Sequence, residues 1–548
     1  MSERSQQSPG ATLASAGQEA ASLRRLVVPR RAGGDYRWAL VAAVGVLAAG
    51  LLALGFGFRV VSDDDYARVL LAQRFARAPR LDPTGTSWLP FPFWAMGGVM
   101  RALGPTLAVA RGFALASAGA SGLLLWAAGR AAGLSSATAA LGALLPFSAP
   151  ALAPFAAAPV PELLTAALAT YGVAAACFGG RLAAVAGGTA LLAACLSRYE
   201  VWSLAAYAAV VCLARAAFGG EGAGPASAAG EGRTGEGRTG GAGRGGARAA
   251  AALAALLALA GPIGWLSWNH HAHGDALSFA RRVASYHASV SPSPPSLAGL
   301  VAGYPAALVR EAPGVVVAAA FALAFGRGAR GRWALLLGAG LTQLVALAAA
   351  ELRGGAPTHH PGRALAAAWC LFGLVAAGEV ERLWRSRGRT VGGRGASNKL
   401  GALGAIAVIC AFTVAISTGF VGRLRSVSEG FGPARAEELA LGRALAARIA
   451  PGERVLVAPP SYGYLAMLVA FGRPDDVTAL VPRAVDPRST ADDPFASPAS
   501  LARAVAGARA RWVLATGAQR AAAEASGLRG VPLTEAWWLY DARGAQAP

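Results

Sequence analysis

Long apolar stretches alternate with short polar ones along this chain, and their lengths decide what they are. Residues 38–58 carry no charged side chain and are about long enough to cross a bilayer as a helix. Further apolar segments occupy 106–129, 133–150, 160–179, 182–197, 201–217, 249–268, 313–326, 333–351, 364–380 and 400–421. Counted as crossings, these predict about eleven transmembrane helices over 37–421. The pattern then changes. Short apolar runs at 454–458, 476–481, 510–515 and 537–541 alternate with helical spacing at 462–471 and 499–507, which predicts a small α/β domain over 430–548. The expected fold class is an α-helical polytopic membrane protein with a C-terminal α/β domain.

The first loop, 59–105, has its own pattern. It opens on Val61-Ser-Asp-Asp-Asp-Tyr-Ala-Arg68. Three adjacent carboxylates repel one another and call for water, a cation or a basic substrate nearby; Ser62 with Asp63, Asp64 and Asp65 is equally a good helix start. Over 66–78, Tyr66, Val69, Leu70 and Phe75 share one helical side while Arg68, Arg74 and Arg77 lie elsewhere, which predicts a short helix on a membrane surface. A second amphipathic piece, Phe91–Leu103, follows a stretch rich in proline and tryptophan, where Trp88 and Trp94 suit the interfacial layer. Residues 1–36 read as a disordered polar tail. Residues 219–248 read as a flexible low-complexity linker, without the strand or Gly-Lys-Ser/Thr of a phosphate loop.

Composition supports the membrane reading: of 548 residues, 55% are hydrophobic and 14% charged, against about 25% charged in ordinary soluble domains. The net charge of +21 comes almost wholly from arginine, with Lys399 the single lysine. These arginines flank apolar spans, so membrane orientation explains them better than nucleic acid does, and no nucleic-acid partner is expected. The five cysteines, Cys177, Cys195, Cys212, Cys370 and Cys410, lie inside apolar segments and form no disulfide framework. With residue 1 in the cytoplasm, the arginine-bearing segments 129–130, 180–181, 215–248, 326–332 and 381–399 all fall inside. The opposite face of a multi-pass inner (plasma) membrane protein then receives Asp63–Asp65, Glu162, Arg198-Tyr199-Glu200, all six histidines and the α/β domain.

These groups are the candidates for chemistry. Glu162 follows Pro159-Val-Pro161 and is either a helix-opening carboxylate or a functional one. Arg198 and Glu200 sit close to hydrocarbon, which is costly unless they pair or are used. His359, His360 and Arg363 form a short loop suited to a phosphate, or to assisting a metal held by the aspartates. His270, His271 and His273 look metal-like by type, but neighbours in sequence cannot all face one ion on regular structure.

Taken together, these residues resemble the integral-membrane glycosyltransferases of the GT-C superfamily, in the polyprenyl-phosphate-mannose mannosyltransferase and aminoarabinose-transferase branch. The resemblance rests on Asp63-Asp-Asp-Tyr66, the helix Leu71-Ala-Gln-Arg-Phe-Ala76, Asp82-Pro-Thr-Gly-Thr-Ser-Trp88 and Pro161-Glu162. It rests also on Ser197-Arg-Tyr-Glu-Val-Trp202, similar to the family's Arg/Lys-Tyr-x-Gly/Trp element, and on His360-Pro-Gly-Arg363. The motifs are short; their order and shared side carry the match. Three aspartates stand where the family has one followed by Glu or Asp, so their register is ambiguous.

The resemblance implies a membrane glycosyltransferase, inverting, moving a hexosyl or pentosyl group from a polyprenyl-phosphate donor to an acceptor hydroxyl at the outer face. Lipid, glycan and protein acceptors stay open, and membrane lipids surround the site. One of Asp63, Asp64 and Asp65 would be the base, with Asp63 or Asp64 favoured. Glu162, Arg198, Tyr199, Glu200, His359, His360 and Arg363 would hold substrate and phosphate, and a divalent cation (Mg²⁺ or Mn²⁺) would sit at Asp63, Asp64 and Glu162. Two other classes compete. A lipid or polysaccharide transporter predicts mid-membrane ionisable groups and repeated span patterns, neither of which the sequence displays. A lipid-linked glycan polymerase or ligase shares the outer arginines but does not by itself account for the aspartates directly after the first span.

Overall fold

The computed structural model describes residues 35–85, 87–218, 240–290, 297–325, 330–352, 361–387, 420–432, 434–486 and 489–544. The first apolar segment forms α1 (Asp35–Gly55), and the first loop holds α2 (Asp63–Arg77) and α3 (Phe91–Leu103). The bundle continues with α4 (Leu107–Ala131), α5 (Ser136–Leu144), α6 (Glu162–Phe178), α7 (Arg181–Cys195), α8 (Val201–Phe218) and α9 (Gly240–His273). Then come α10 (Ser278–Val290), α11 (Leu297–Glu311), α12 (Pro313–Phe325), α13 (Arg330–Leu352), α14 (Pro361–Arg387) and α15 (Phe420–Gly430).

Among the described residues six helices are long and apolar enough to cross a membrane, and α11 with α12, bent by 105°, make a seventh if the pair is one span. Pro313 opens α12, where its missing N–H costs nothing and its ring stops α11 from continuing. α6, α7 and the Ser136–Ser148 stretch are apolar but shorter than a full crossing. The expected segment 400–421 lies almost wholly outside the described residues, as do tail residues 1–34 and linker residues 219–239. α9 already begins at Gly240, so the helix takes over the last residues assigned to the linker.

Small residues set the packing. A side chain at Gly122 on α4 would meet the Ala42 carbonyl of α1 at 2.5 Å, so these two helices touch backbone to backbone. α14 is the central post, buried along nearly its whole length, with Trp369, Leu365 and Leu371 shielded against α5, α6 and α13. Its N-terminus, the N-terminus of α6, the α7–α8 turn and the start of α2 come together at one end of the bundle.

The C-terminal domain caps that end. It runs α16 (Ala436–Arg448), β1 (Val455–Val457), α17 (Tyr464–Phe471), β2 (Val477–Ala479), α18 (Pro498–Ala508), β3 (Trp512–Thr516), α19 (Gly517–Ala525), β4 (Arg529–Pro532) and β5 (Trp537–Asp541). The sheet order is β2-β1-β3-β5-β4; β1 pairs in parallel with β2 and β3, and β5 is antiparallel to β3 and β4. The period-two pattern sorts the two faces: Val455, Val457, Leu514 and Leu539 pack with α16 and α17, while Leu456, Val513, Ala515 and Tyr540 pack with α18 and α19. β4 escaped the sequence reading because Arg-Gly-Val-Pro is exposed, proline-bearing and at the sheet edge.

α2 belongs to both halves. Tyr66, Val69 and Leu70 join the core formed by α16, α17 and β1, so the helix does not lie open on one side as the amphipathic reading expected. Gln73 shows why the pattern misled. Its buried amide donates to Pro105 O (2.9 Å) and Val469 O (3.0 Å), a polar residue used as a bolt between loop and domain.

Candidate active site

The three aspartates that open α2 point three ways, as successive helical positions must. Asp65 is buried and turns back, accepting from Val61 N (2.9 Å) and Ser62 N (3.4 Å). Asp63 turns toward the C-terminal domain and takes a two-pronged contact from Arg435, at 2.9 and 2.7 Å. Asp64 stays half-exposed and faces Arg363, 3.7 Å away. The three aspartates thus occupy three settings: one braces its own helix turn, one ties to the C-terminal domain, and one is directed into the cluster at the end of the bundle.

That cluster is built on Glu162, fully buried in the first turn of α6 behind Pro161. Its Oε1 accepts from Arg363 Nε (2.7 Å) and Nη2 (2.6 Å) at the start of α14, and from Arg198 Nη1 (2.5 Å) in the α7–α8 turn. Arg198 also pairs with Glu200. Buried charges this close hold only because they neutralise one another. Glu162 Oε2 has no hydrogen-bond partner among the described residues and lies free beside these guanidinium groups.

Arg68, one turn after Asp64 on the same face of α2, completes the group. Only 7% of it is exposed, its guanidinium stacks 4.4 Å from the Trp88 ring, and its Nε has no hydrogen-bond partner. Burial presses its pKa down, and the neighbouring Glu162 opposes that. The sequence reading passed over Arg68 because an arginine on an amphipathic helix is ordinarily solvated. Its i+4 spacing from Asp64 was the available signal.

Beside Arg68 opens a small apolar cleft between α3, α4 and α6. Phe91, Met96, Phe113, Phe155, Leu163 and Leu164 line it, and Arg68 is the one charged residue among its described walls. Pro161 and Ser197, neighbours of Glu162 and Arg198, lie at the same mouth.

Tyr199 does not join the cluster. It donates to Ser87 O (2.7 Å), accepts from Trp265 Nε1 (3.0 Å) and stacks on Phe279 at 4.4 Å, so it supports the 82–90 loop that carries Trp88. Burial raises its phenol pKa. His359 and His360 lie outside the described residues. His270, His271 and His273 end α9. Among the described residues no three metal-ligating side chains converge. The expected cation set does not assemble, because Asp63 is committed to Arg435 and Glu162 to two arginines. The donors present fit an anion better than a divalent cation.

Burial pushes Asp65 up to about 7, opposed by its backbone donor Val61 and by Arg363. A carboxyl whose pKa is raised in the fold keeps its proton at pH values where the unfolded chain has already lost it, so its contribution to stability is full below the unfolded pKa and fades as pH rises to the folded value. Relative to Asp65→Asn, the wild-type protein is therefore expected to lose stability from about pH 4 up to about pH 7 and to level off above. Melting temperatures in detergent across that range check this; a flat difference would sink it.

Comparison with known proteins now adds the fold. No family model matches the chain, and no curated protein matches it in sequence. Among solved structures, ArnT from Cupriavidus metallidurans bound to undecaprenyl phosphate aligns with a TM-score of 0.55 at 15% identity, over 93% of this chain and 98% of that one. The same protein in the apo state gives 0.52 at 13%, over 93% and 97%. The archaeal oligosaccharyltransferase AglB from Archaeoglobus fulgidus, in complex with an inhibitory peptide and a dolichol-phosphate, gives 0.47 at 11%, over 86% and 69%. The chain shares the fold of ArnT along nearly its whole length, and it is an integral membrane protein.

Proposed function

We propose that this protein is a membrane glycosyltransferase that moves a sugar from a polyprenyl-phosphate carrier to an acceptor hydroxyl. The observation that carries the reading is the apolar cleft whose one charged wall, Arg68, stands beside the half-exposed Asp64. An apolar lipid with an anionic head fits a greasy slot that ends in a guanidinium. The same-fold ArnT was solved with undecaprenyl phosphate bound, which supports a lipid of this class. The site end of the bundle is taken as the outer face, in agreement with the arginine bias of the loops.

In this reading the acceptor oxygen attacks the anomeric carbon in one displacement, which inverts it. The acceptor's proton passes to Asp64 as its oxygen bonds that carbon. The bond from carbon to phosphate oxygen breaks and leaves both electrons on the lipid phosphate. Arg68 and Arg363 stabilise the added charge, while Glu200 holds Arg198 and Arg198 holds Glu162, which fixes Arg363 in turn. The sugar is a hexose or pentose and the acceptor a lipid, glycan or protein. No step runs through a cation, so chelators are expected to leave the reaction unchanged.

Binding tests the reading directly. Wild-type protein in nanodiscs is expected to bind undecaprenyl phosphate and to discriminate against undecaprenol, which lacks the phosphate. Arg68→Ala removes a charge-assisted contact of about 2 kcal/mol, a loss of roughly thirtyfold in affinity. Equal binding of the two lipids by the wild-type protein would overturn the assignment.

A further inference from the structure

The C-terminal domain also meets the chain at the first turn of α2, next to the proposed base. Gly432 N donates to Val61 O (3.1 Å), and a side chain at Gly432 would meet Ser62 Cα at 3.0 Å. Phe431 sets its ring edge-on against Phe58 at 5.9 Å, and Tyr66 donates to Ala434 O (3.1 Å). Arg435 follows, with φ +53° and ψ +35°, a left-handed backbone that a non-glycine residue keeps only where its surroundings impose it. That conformation aims its guanidinium at Asp63, at 2.9 and 2.7 Å, with Glu438 behind it at 3.1 Å. The Arg435 and Asp63 side chains are 18% and 22% exposed, so the pair is largely shielded.

We propose that Arg435 is a positioning residue through which the C-terminal domain sets the direction of the reactive carboxylate. The inference rests on Asp64 being the base. Adjacent helical residues differ by about 100° in direction, so fixing Asp63 on one side and Asp65 on the other leaves Asp64 one orientation. Asp65 is fixed within its own helix turn, but Asp63 is fixed only from the domain. The groups facing this first turn are Asp63 and Asp65 on the helix itself, Arg68 one turn on, Arg363 from α14, Glu162 from α6 and Arg435 from the domain. Without Arg435, Asp63 becomes a free carboxylate beside Asp64, able to compete for Arg363 and to repel its neighbour. The domain then acts as one jaw of the site.

The test uses full-length protein in proteoliposomes, with radiolabelled undecaprenyl-phosphate mannose and undecaprenyl-phosphate arabinose as donor probes and release of undecaprenyl phosphate as readout. Arg435→Ala is expected to lower kcat by about ten- to a hundredfold, as misplacement of a reacting group does, while KM for the lipid donor stays within about twofold. Arg435→Lys keeps the charge without the fork and is expected to recover part of the loss. Asp63→Asn and the Asp63→Asn/Arg435→Ala pair are expected to match Arg435→Ala rather than multiply with it, because one interaction is broken in all three. This near-isosteric asparagine keeps the test sound if Arg435→Ala fails to fold. An unchanged kcat in Asp63→Asn, or a loss in Asp63→Asn far beyond that of Arg435→Ala, overturns the proposal; the second result would make Asp63 the base. Retained transfer in Asp64→Asn would instead sink the reading on which the proposal rests.

Discussion

Asp64→Asn is expected to slow sugar transfer by roughly 10²–10⁴-fold, the usual contribution of a positioned general base. The change keeps shape and polarity. It removes one helix-N-terminal charge, about 0.3–1 kcal/mol, which leaves the fold intact. The argument for so large an effect is one of charge balance. At rest, Arg68, Arg198 and Arg363 face Asp64, Glu162 and Glu200, three positive charges against three negative ones. Transfer raises the negative charge on the lipid phosphate by one, and proton capture lowers that on Asp64 by one. Arg363, 3.7 Å from Asp64, is thereby released toward the phosphate as the need for it arises. An asparagine accepts no proton and supplies no such exchange. Release of undecaprenyl phosphate from lipid-linked sugars in proteoliposomes measures the loss; a rate within threefold of wild type would exclude Asp64 as the base. Asp63→Asn is expected to fall short of this effect, since its carboxylate pairs with Arg435 rather than facing the cluster.

How much of this was readable from sequence follows from distance along the chain. The apolar helices are local in origin, so segment length and hydrophobicity reveal most of them. α6 and α7 fall short of a full crossing because Pro161 and Gly180 set where they begin. Glu162 was legible as a carboxylate that opens a helix, but its partners lie 36 and 201 residues away, beyond any periodicity. The register of the aspartates was illegible for the same reason. Asp63 pairs with Arg435, 372 positions later, and Asp64 faces Arg363 from another helix, while only Asp65 is held by its own helix turn. Arg68 was hidden by composition: in a chain whose cations are nearly all arginine, one more beside an apolar stripe carries no distinguishing mark. Tyr199 was read with its neighbours as a unit. In the fold, Arg198 and Glu200 turn to the charge cluster and Tyr199 to the aromatic stack beneath the 82–90 loop.

Glu162→Ala is expected to destabilise the protein by about 3–5 kcal/mol, the cost of leaving partners of a buried ion pair uncompensated. Two guanidinium groups lean on one carboxylate oxygen, and Glu162 itself is fully buried. Removing the carboxylate leaves Arg363 only the half-exposed Asp64 and Arg198 only Glu200, with the charge of Arg68 close by. Glu162→Gln keeps an acceptor oxygen but not its charge, so a smaller drop is expected there. The measurement is thermal unfolding in detergent, read alongside transfer. Glu162→Ala combined with Arg198→Ala is expected to unfold at a higher temperature than Glu162→Ala alone, because the cluster no longer carries an excess positive charge, yet to remain inactive, because Arg363 has lost the group that orients it. Recovery of transfer together with stability would show that Glu162 acts as a structural brace alone. Recovery of stability without transfer would tie the charge balance of the cluster to the chemistry.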